Sequence, residues 1–129
     1  MNGAAEDVAA APAGASGMGA KAETWLWLAQ RASAALLAVC VLAHLLTIIY
    51  AVRHGLSGAA ILERTKGNAA WLAFYALFVL AIAVHAPIGL RTLCQEWLGW
   101  RSASLDWCMA AVALAFIAFG LRAGWAVFA

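Results

Sequence analysis

The tightest constraint on this chain is a set of three long apolar runs, Trp25–Val52, Ala69–Leu90 and Trp107–Phe128. Each reaches or exceeds the ~20 residues that an α-helix needs to cross ~30 Å of hydrocarbon. Lipid offers backbone amides no hydrogen-bond partner, so each run must pair its own N–H and C=O groups as a helix. An open sheet would leave its edges unpaired. Composition agrees: the 129 residues are 67% hydrophobic and only 11% charged, where a soluble domain carries roughly a quarter charged. The expected fold is an all-α membrane protein. Three transmembrane helices, at about residues 25–52, 69–92 and 106–128, run up-down-up within a transmembrane domain of residues 23–129.

The segments between and before the runs fit this fold. Residues 1–22 are expected to form a flexible N-terminal tail, since residues 1–20 are rich in Ala and Gly and include Glu6, Asp7 and Pro12. They lack the basic start and apolar core of a signal peptide. The loops Arg53–Asn68 and Arg91–Asp106 are the polar connections. All seven tryptophans, Trp25, Trp27, Trp71, Trp97, Trp100, Trp107 and Trp125, gather near the ends of the runs, Trp97 and Trp100 within the second loop. That is where amphipathic rings meet the headgroups.

Charge leaves the orientation open. If the first helix runs from side A to side B, side A holds Lys21, Arg31, Arg91 and Arg101, and side B holds Arg53, Arg64, Lys66 and Arg122. The positive-inside rule is silent on such a tie. No basic patch points to nucleic acid. Cys40, Cys94 and Cys108 match no zinc or redox spacing. Cys40 and Cys108 lie in apolar runs and read as small core residues.

Polar residues inside the runs carry the functional signal, because ionisable groups in lipid are costly and mark function. His85 lies in Ala83-Val84-His85-Ala86-Pro87-Ile88-Gly89-Leu90-Arg91. Gly89, one turn on, shares its face and leaves room for a flat macrocycle or another helix. Trp71, Phe78, His85 and Thr92 recur every seven residues, with Phe74 or Tyr75, Ile82, Gly89 and Glu96 between them, so this face should meet protein or cofactor. Pro87 removes one helix hydrogen bond. Two readings of His85 stand side by side: a metal ligand, or a histidine bonded to a neighbouring helix's backbone.

On the first helix, Ser33, Leu37, Cys40, His44 and Thr47 form one stripe. No Cys, Asp or Glu cluster accompanies the histidines, which disfavours zinc, whereas haem iron is served by one or two axial imidazoles. Antiparallel helices put His44 near side B and His85 near side A, too far apart to share an iron. If both are ligands there are two haems, each completed by a ligand from elsewhere, and hence a partner subunit. His54 lies in the first loop. Arg31 is either a cation snorkelling to the interface or a partner for a propionate or a quinone carbonyl. Arg31, Ser33, Arg91 and Glu96 all belong to side A.

Two segments resemble a family. Gln30-Arg31-Ala32-Ser33-Ala34 is similar to the His-Arg-x-Ser-Gly motif that opens the first helix of the cytochrome b membrane subunit of succinate dehydrogenase and fumarate reductase. His85-Ala86-Pro87-Ile88-Gly89-Leu90-Arg91, followed by Gln95-Glu96-Trp97, resembles that family's His-x-x-x-Gly-x-Arg segment and its trailing acidic residue. The resemblance covers roughly residues 25–125. It departs at Gln30, which stands for the motif histidine, at Ala34, which stands for its glycine, and at Trp27, where some members have a quinone-contacting serine.

The resemblance implies a non-catalytic electron-transfer subunit of a respiratory succinate:quinone oxidoreductase. His85 would be an axial ligand of haem b, and Arg91 would bind a haem propionate. Arg31, Ser33 and Glu96 would serve the quinone site. His44 is similar to the first-helix ligand of two-haem members. Implied partners are a flavoprotein subunit, an iron–sulfur subunit, and a second membrane-anchor subunit or second copy that enlarges the helical bundle. The implied setting is the bacterial cytoplasmic membrane, multi-pass, with the N-terminus cytoplasmic. Alternatives are a haem-binding anchor for another flavoprotein dehydrogenase and a haem-free structural or assembly membrane protein.

Overall fold

A computed structural model describes residues 17–129. Of the tail expected over residues 1–22, residues 1–16 lie outside the described residues. The first helix, α1, spans Gly17–Arg53. Residues 17–22 are therefore helical rather than tail. Ala20, Lys21, Ala22 and Glu23 are good helix formers that extend the helix before the apolar run begins. At about 1.5 Å per residue, these 37 residues reach roughly 55 Å, well beyond the hydrocarbon thickness.

A short α2, Gly58–Thr65, occupies the first loop, which sequence reasoning left as an irregular connection. Ser57 caps it, accepting from the Ala60 amide, and satisfies one of the free donors of its first turn. Next, α3 spans Ala69–Trp97 and runs through Pro87. Asn68 caps it by accepting from the amides of Ala70 and Trp71. The helix passes the expected end at residue 92 and stops before Gly99, whose φ of +64° suits a residue without a Cβ. The last helix, α4, spans Ala103–Phe128. Trp100 Nε1 donates to Ser102 Oγ at 2.8 Å and Ser104 Oγ at 3.0 Å, locking the turn before it.

Contacts fix the topology. At one end, Arg91 of α3 meets Glu23 of α1 and Asp106 of α4. At the other, the Thr65 hydroxyl donates to Val127 O at 2.8 Å, and the Gly67 amide donates to Phe128 O at 2.8 Å. The three long helices thus alternate in direction, as expected, and side A and side B are physically distinct. The central helix is α3: both α1 and α4 pack mainly against it rather than against each other. All three are long and apolar enough to cross a membrane.

Small residues make the packing close. Ala81 and Ala83 of α3 are buried, as are Cys40 and Ser33 of α1 and Leu105 and Met109 of α4. A Cβ added at Gly120 would sit 2.6 Å from both methyls of Val79, so this glycine sets the α3–α4 approach. Most other large apolar side chains, such as Val39, Leu42, Leu114 and Phe119, point outward. In lipid that exposure carries no hydrophobic penalty. Cys108 is exposed on α4, which corrects its reading as a core residue; Cys40 is buried. The tryptophans Trp25, Trp27, Trp97, Trp107 and Trp125 are exposed near the ends of the apolar runs.

Candidate functional site

The seven-residue periodicity of α3 brings His85 against α1. Its Nδ1 lies 3.4 Å from Gln30 O and 3.5 Å from Ser33 Oγ. Ser33 Oγ itself donates to Gln30 O at 3.0 Å. A carbonyl can only accept, so this contact requires a proton on Nδ1; in the neutral ring of that tautomer Nε2 carries the lone pair. Among the described residues no hydrogen bond to Nε2 is formed. Ser33 is buried at this junction. The α1 stripe Ser33, Leu37, Cys40, His44 and Thr47 does face inward, each residue being buried or half-buried.

The room above Gly89 is taken by the other helix. A Cβ at Gly89 would stand 3.1 Å from Gln30 Nε2, so the amide of Gln30 occupies the space that the glycine opens. Gln30 Oε1 is buried and has no hydrogen-bond partner. Beside it a cleft of about 390 Å³ is lined by Glu23, Trp27, Gln30, Gly89, Arg91 and Thr92.

His44 lies deeper along α1. Eleven residues separate it from Ser33, roughly 16 Å along a helix axis. Its ring meets the edges of Tyr75 and Phe78 on α3, at centroid distances of 6.3 and 5.9 Å. Its Nδ1 is buried with no hydrogen-bond partner. The ring lines a side-B cleft of about 270 Å³, walled by Ile48, Ile61, Trp71 and Tyr75, with Arg64 also contributing. The two intramembrane histidines therefore occupy different levels, as the antiparallel reading required. His54 follows the end of α1, stacked on Tyr50 with Nδ1 2.8 Å from Tyr50 O.

The four polar residues assigned to side A share an end but not a face. Ser33 is buried toward His85. Arg31, two positions before it, is exposed, and its guanidinium covers the Trp27 ring at 4.7 Å. Arg91 is held by Asp106 and Glu23. Glu96 is exposed. A helix turns 100° per residue, so Arg31 and Ser33 point almost oppositely, and the structure does not gather all four in one cleft. Among the described residues no three His, Cys, Asp or Glu side chains come together as a metal cluster.

The family model of the succinate dehydrogenase/fumarate reductase transmembrane subunit matches residues 13–121. The chain belongs to this family. As a transmembrane subunit of that family, with three spanning helices, it is a multi-pass membrane protein. No curated protein matches the chain, and no solved structure does.

Sequence reasoning missed two contributors to this family member's side-A end. Asp106 and Glu23, the carboxylates that hold Arg91, lie on two other helices. The Gln30 carbonyl that meets His85 is the neighbouring-helix backbone contact that one of the two sequence readings of His85 expected, with the partner residue supplied by the structure. The inward stripe, the Gly89 gap and the backbone-bonded reading of His85 were the sequence signals pointing toward this junction.

Proposed function

We propose that this chain is the haem-bearing membrane anchor of a succinate:quinone oxidoreductase, with His85 as an axial ligand of haem b. The observation that carries the proposal is the pairing of His85 Nδ1–H with the Gln30 carbonyl across α1 and α3. Metal-bound imidazoles characteristically donate their other N–H to a carbonyl or carboxylate, which fixes the tautomer and raises ligand basicity. His85 already has that partner, and its free nitrogen is the one that would bind iron.

His44 is the second proposed ligand. Its buried Nδ1 is an orphan, and buried polar atoms without partners call for an explanation. A haem at each histidine accounts for both levels and needs a further axial ligand for each. A second membrane-anchor subunit, or a second copy, supplies these and covers the exposed outer face of α1. When bound, haem b carries one electron at a time. Its axial ligands and burial tune the potential.

The remaining roles belong to side A. Arg91 spends Nε on Asp106 and directs Nη1 at Glu23. A guanidinium has five N–H donors, so it keeps donors for a propionate. Arg31 and Glu96, both exposed on side A, are the proposed hydrogen-bonding groups of the quinone site, while Ser33, buried beside His85 with its hydroxyl given to Gln30 O, would act on that site from behind. Soluble flavoprotein and iron–sulfur subunits dock on the same side, which is cytoplasmic in a bacterial membrane. The anchor's task is to hold a lipid-confined quinone within electron-transfer reach of a water-soluble donor.

The test is a reduced-minus-oxidised spectrum of the purified membrane complex for wild type, His85→Ala and His44→Ala. Each substitution is expected to remove one haem component. An unchanged spectrum in His85→Ala would remove that residue as a ligand. Succinate-dependent quinone reduction, set against fumarate reduction, assigns the dehydrogenase. Succinate oxidation with a soluble acceptor should survive Arg31→Ala and Ser33→Ala, while quinone reduction falls.

A further inference from the structure

We propose that the groove between α1 and α4 at side A holds one phospholipid with a primary-ammonium headgroup, of the phosphatidylethanolamine class. The inference does not rest on the haem reading.

The groove exists because α1 and α4 both pack mainly against α3 rather than against each other. Its volume is about 590 Å³. Ala83 and Pro87 of α3, both buried, form the floor. Leu26 of α1 lies on one wall, and Ala110 and Ala113 of α4 lie on the other. From Arg91 at the mouth down to Ala83 the groove follows α3 for roughly 12 Å. Pro87 stands about 160° round α3 from His85, so the groove belongs to a different face of that helix.

Glu23, Arg91 and Asp106 are the charged side chains of the lining, and all three meet at the mouth. Trp25 and Trp107, close behind Glu23 and Asp106 in the chain, are exposed. Such rings mark the headgroup level. Two carboxylates against one guanidinium leave the mouth with an excess of negative charge. Both carboxylates are more than half exposed, so each keeps lone pairs for a further donor. Arg91 gives Nε to Asp106 and turns Nη1 to Glu23. Its remaining donors are divided between this groove and the cleft beside Gln30, which it also lines.

A ligand that answers this arrangement is amphipathic, with a cationic donor and an anion in its headgroup. In phosphatidylethanolamine the ammonium donates N–H groups to Glu23 and Asp106. The phosphate accepts from Arg91, and an acyl chain fills the apolar groove. Phosphatidylglycerol would bring a like charge to the carboxylates. Phosphatidylcholine has the right charges but no N–H to donate. Seated there, the lipid joins α1 to α4 at the end where they do not pack together.

The experiment uses the full-length protein purified from membranes in mild detergent, as wild type, Glu23→Gln, Asp106→Asn and Ala110→Leu. Bound phospholipid is counted by class, and circular dichroism follows helical content. Ala110 is exposed in the groove and outside both ion pairs, so Ala110→Leu fills the groove and spares the clamp. Wild type is expected to retain one phosphatidylethanolamine per chain, above that lipid's share of the source membrane. Retention should fall by about two- to fivefold in each carboxylate variant, as for an exposed ion pair, and be lost in Ala110→Leu with helical content unchanged. After delipidation, added phosphatidylethanolamine should raise the melting temperature of wild type. Phosphatidylcholine and phosphatidylglycerol should raise it less, and Ala110→Leu should respond to none. Equal stabilisation by all three lipids would overturn the inference, as would unchanged phosphatidylethanolamine in Ala110→Leu or in both carboxylate variants. Wild type that carries no phospholipid, and whose oligomer dissociates in Ala110→Leu, would give the groove to a second copy of the chain.

Discussion

Arg91 on α3 donates from Nε to Asp106 Oδ1 on α4 at 2.8 Å, while its Nη1 lies 3.6 Å from Glu23 Oε1 on α1. One guanidinium thus joins the side-A ends of all three spanning helices. Apart from the junction of His85 with Gln30 and Ser33, the helices meet mainly through apolar surfaces, which in lipid discriminate little between registers. A charged contact at the mouth of the bundle supplies the missing directionality.

The clamp should be modest in energy. The side chains of Glu23 and Asp106 are 66% and 60% exposed, so solvent screens both pairs. Asp106→Asn is expected to cost about 0.5–1 kcal/mol, in the range of exposed ion pairs. Arg91→Gln should cost somewhat more, because it breaks both contacts. In a double-mutant cycle, Asp106→Asn should cost almost nothing once Arg91 is Gln. Denaturant titration of the protein in detergent micelles checks this; strictly additive losses would refute the coupling.

Two glycines should respond differently to alanine. At Gly120 the new Cβ meets both Val79 methyls at 2.6 Å, a collision between two helix-bound side chains. Overpacking of that kind costs about 1–3 kcal/mol. At Gly89 the Cβ meets the end of the Gln30 side chain at 3.1 Å, which can swing aside. Gly89→Ala should therefore be nearly neutral for stability. Gly120→Ala should be clearly destabilising, and Val79→Ala should rescue it in part. Equal losses at the two sites would contradict the geometry.

Thr65 is the pin that holds α2 to α4. It is buried, and its hydroxyl donates to Val127 O across the side-B end. Thr65→Val keeps the shape and deletes the donor, leaving a carbonyl unpaired at a cost of about 1–3 kcal/mol. The expected readout is faster tryptic cleavage at Arg64 or Lys66 in the first loop, with the spanning helices intact. An unchanged cleavage rate would mean that the Gly67–Phe128 hydrogen bond alone anchors the segment.

Ser33 is a positioning residue for His85. Its hydroxyl lies 3.5 Å from Nδ1 and donates to the same Gln30 carbonyl. Ser33→Ala should keep the His85-dependent haem component but alter its potential and its low-temperature line shape, because the carbonyl partner survives. Ser33→Leu, which forces bulk into the α1–α3 contact, should abolish that component. Retention of an unaltered component in Ser33→Leu would show that the α1–α3 contact does not position the His85 ring.

The spans and the inward stripes were legible in the sequence for a simple reason. Desolvation of the backbone compels helices wherever an apolar run is long enough. Helical period then puts Ser33, Cys40 and His44 on one face and Tyr75, Phe78 and His85 on another. The separate levels of His44 and His85 followed from antiparallel connection alone. The short helix α2 escaped notice because eight residues carry too little periodicity, and its docking depends on the far end of α4.

Sequence by itself determined that this chain crosses a membrane three times, that two imidazoles lie inside it, and which family its motifs belong to. Those properties depend on local composition and spacing, which survive without knowing any partner. Tertiary structure alone decided that α3 is the central helix, and that Gln30 rather than open space fills the gap at Gly89. It also decided that Arg91 answers to Asp106 and Glu23, and that Arg31 and Ser33 face apart. Each of these depends on how one helix is rotated and shifted against another. Apolar faces in lipid leave that choice to close packing and to a few polar contacts between residues distant in the chain.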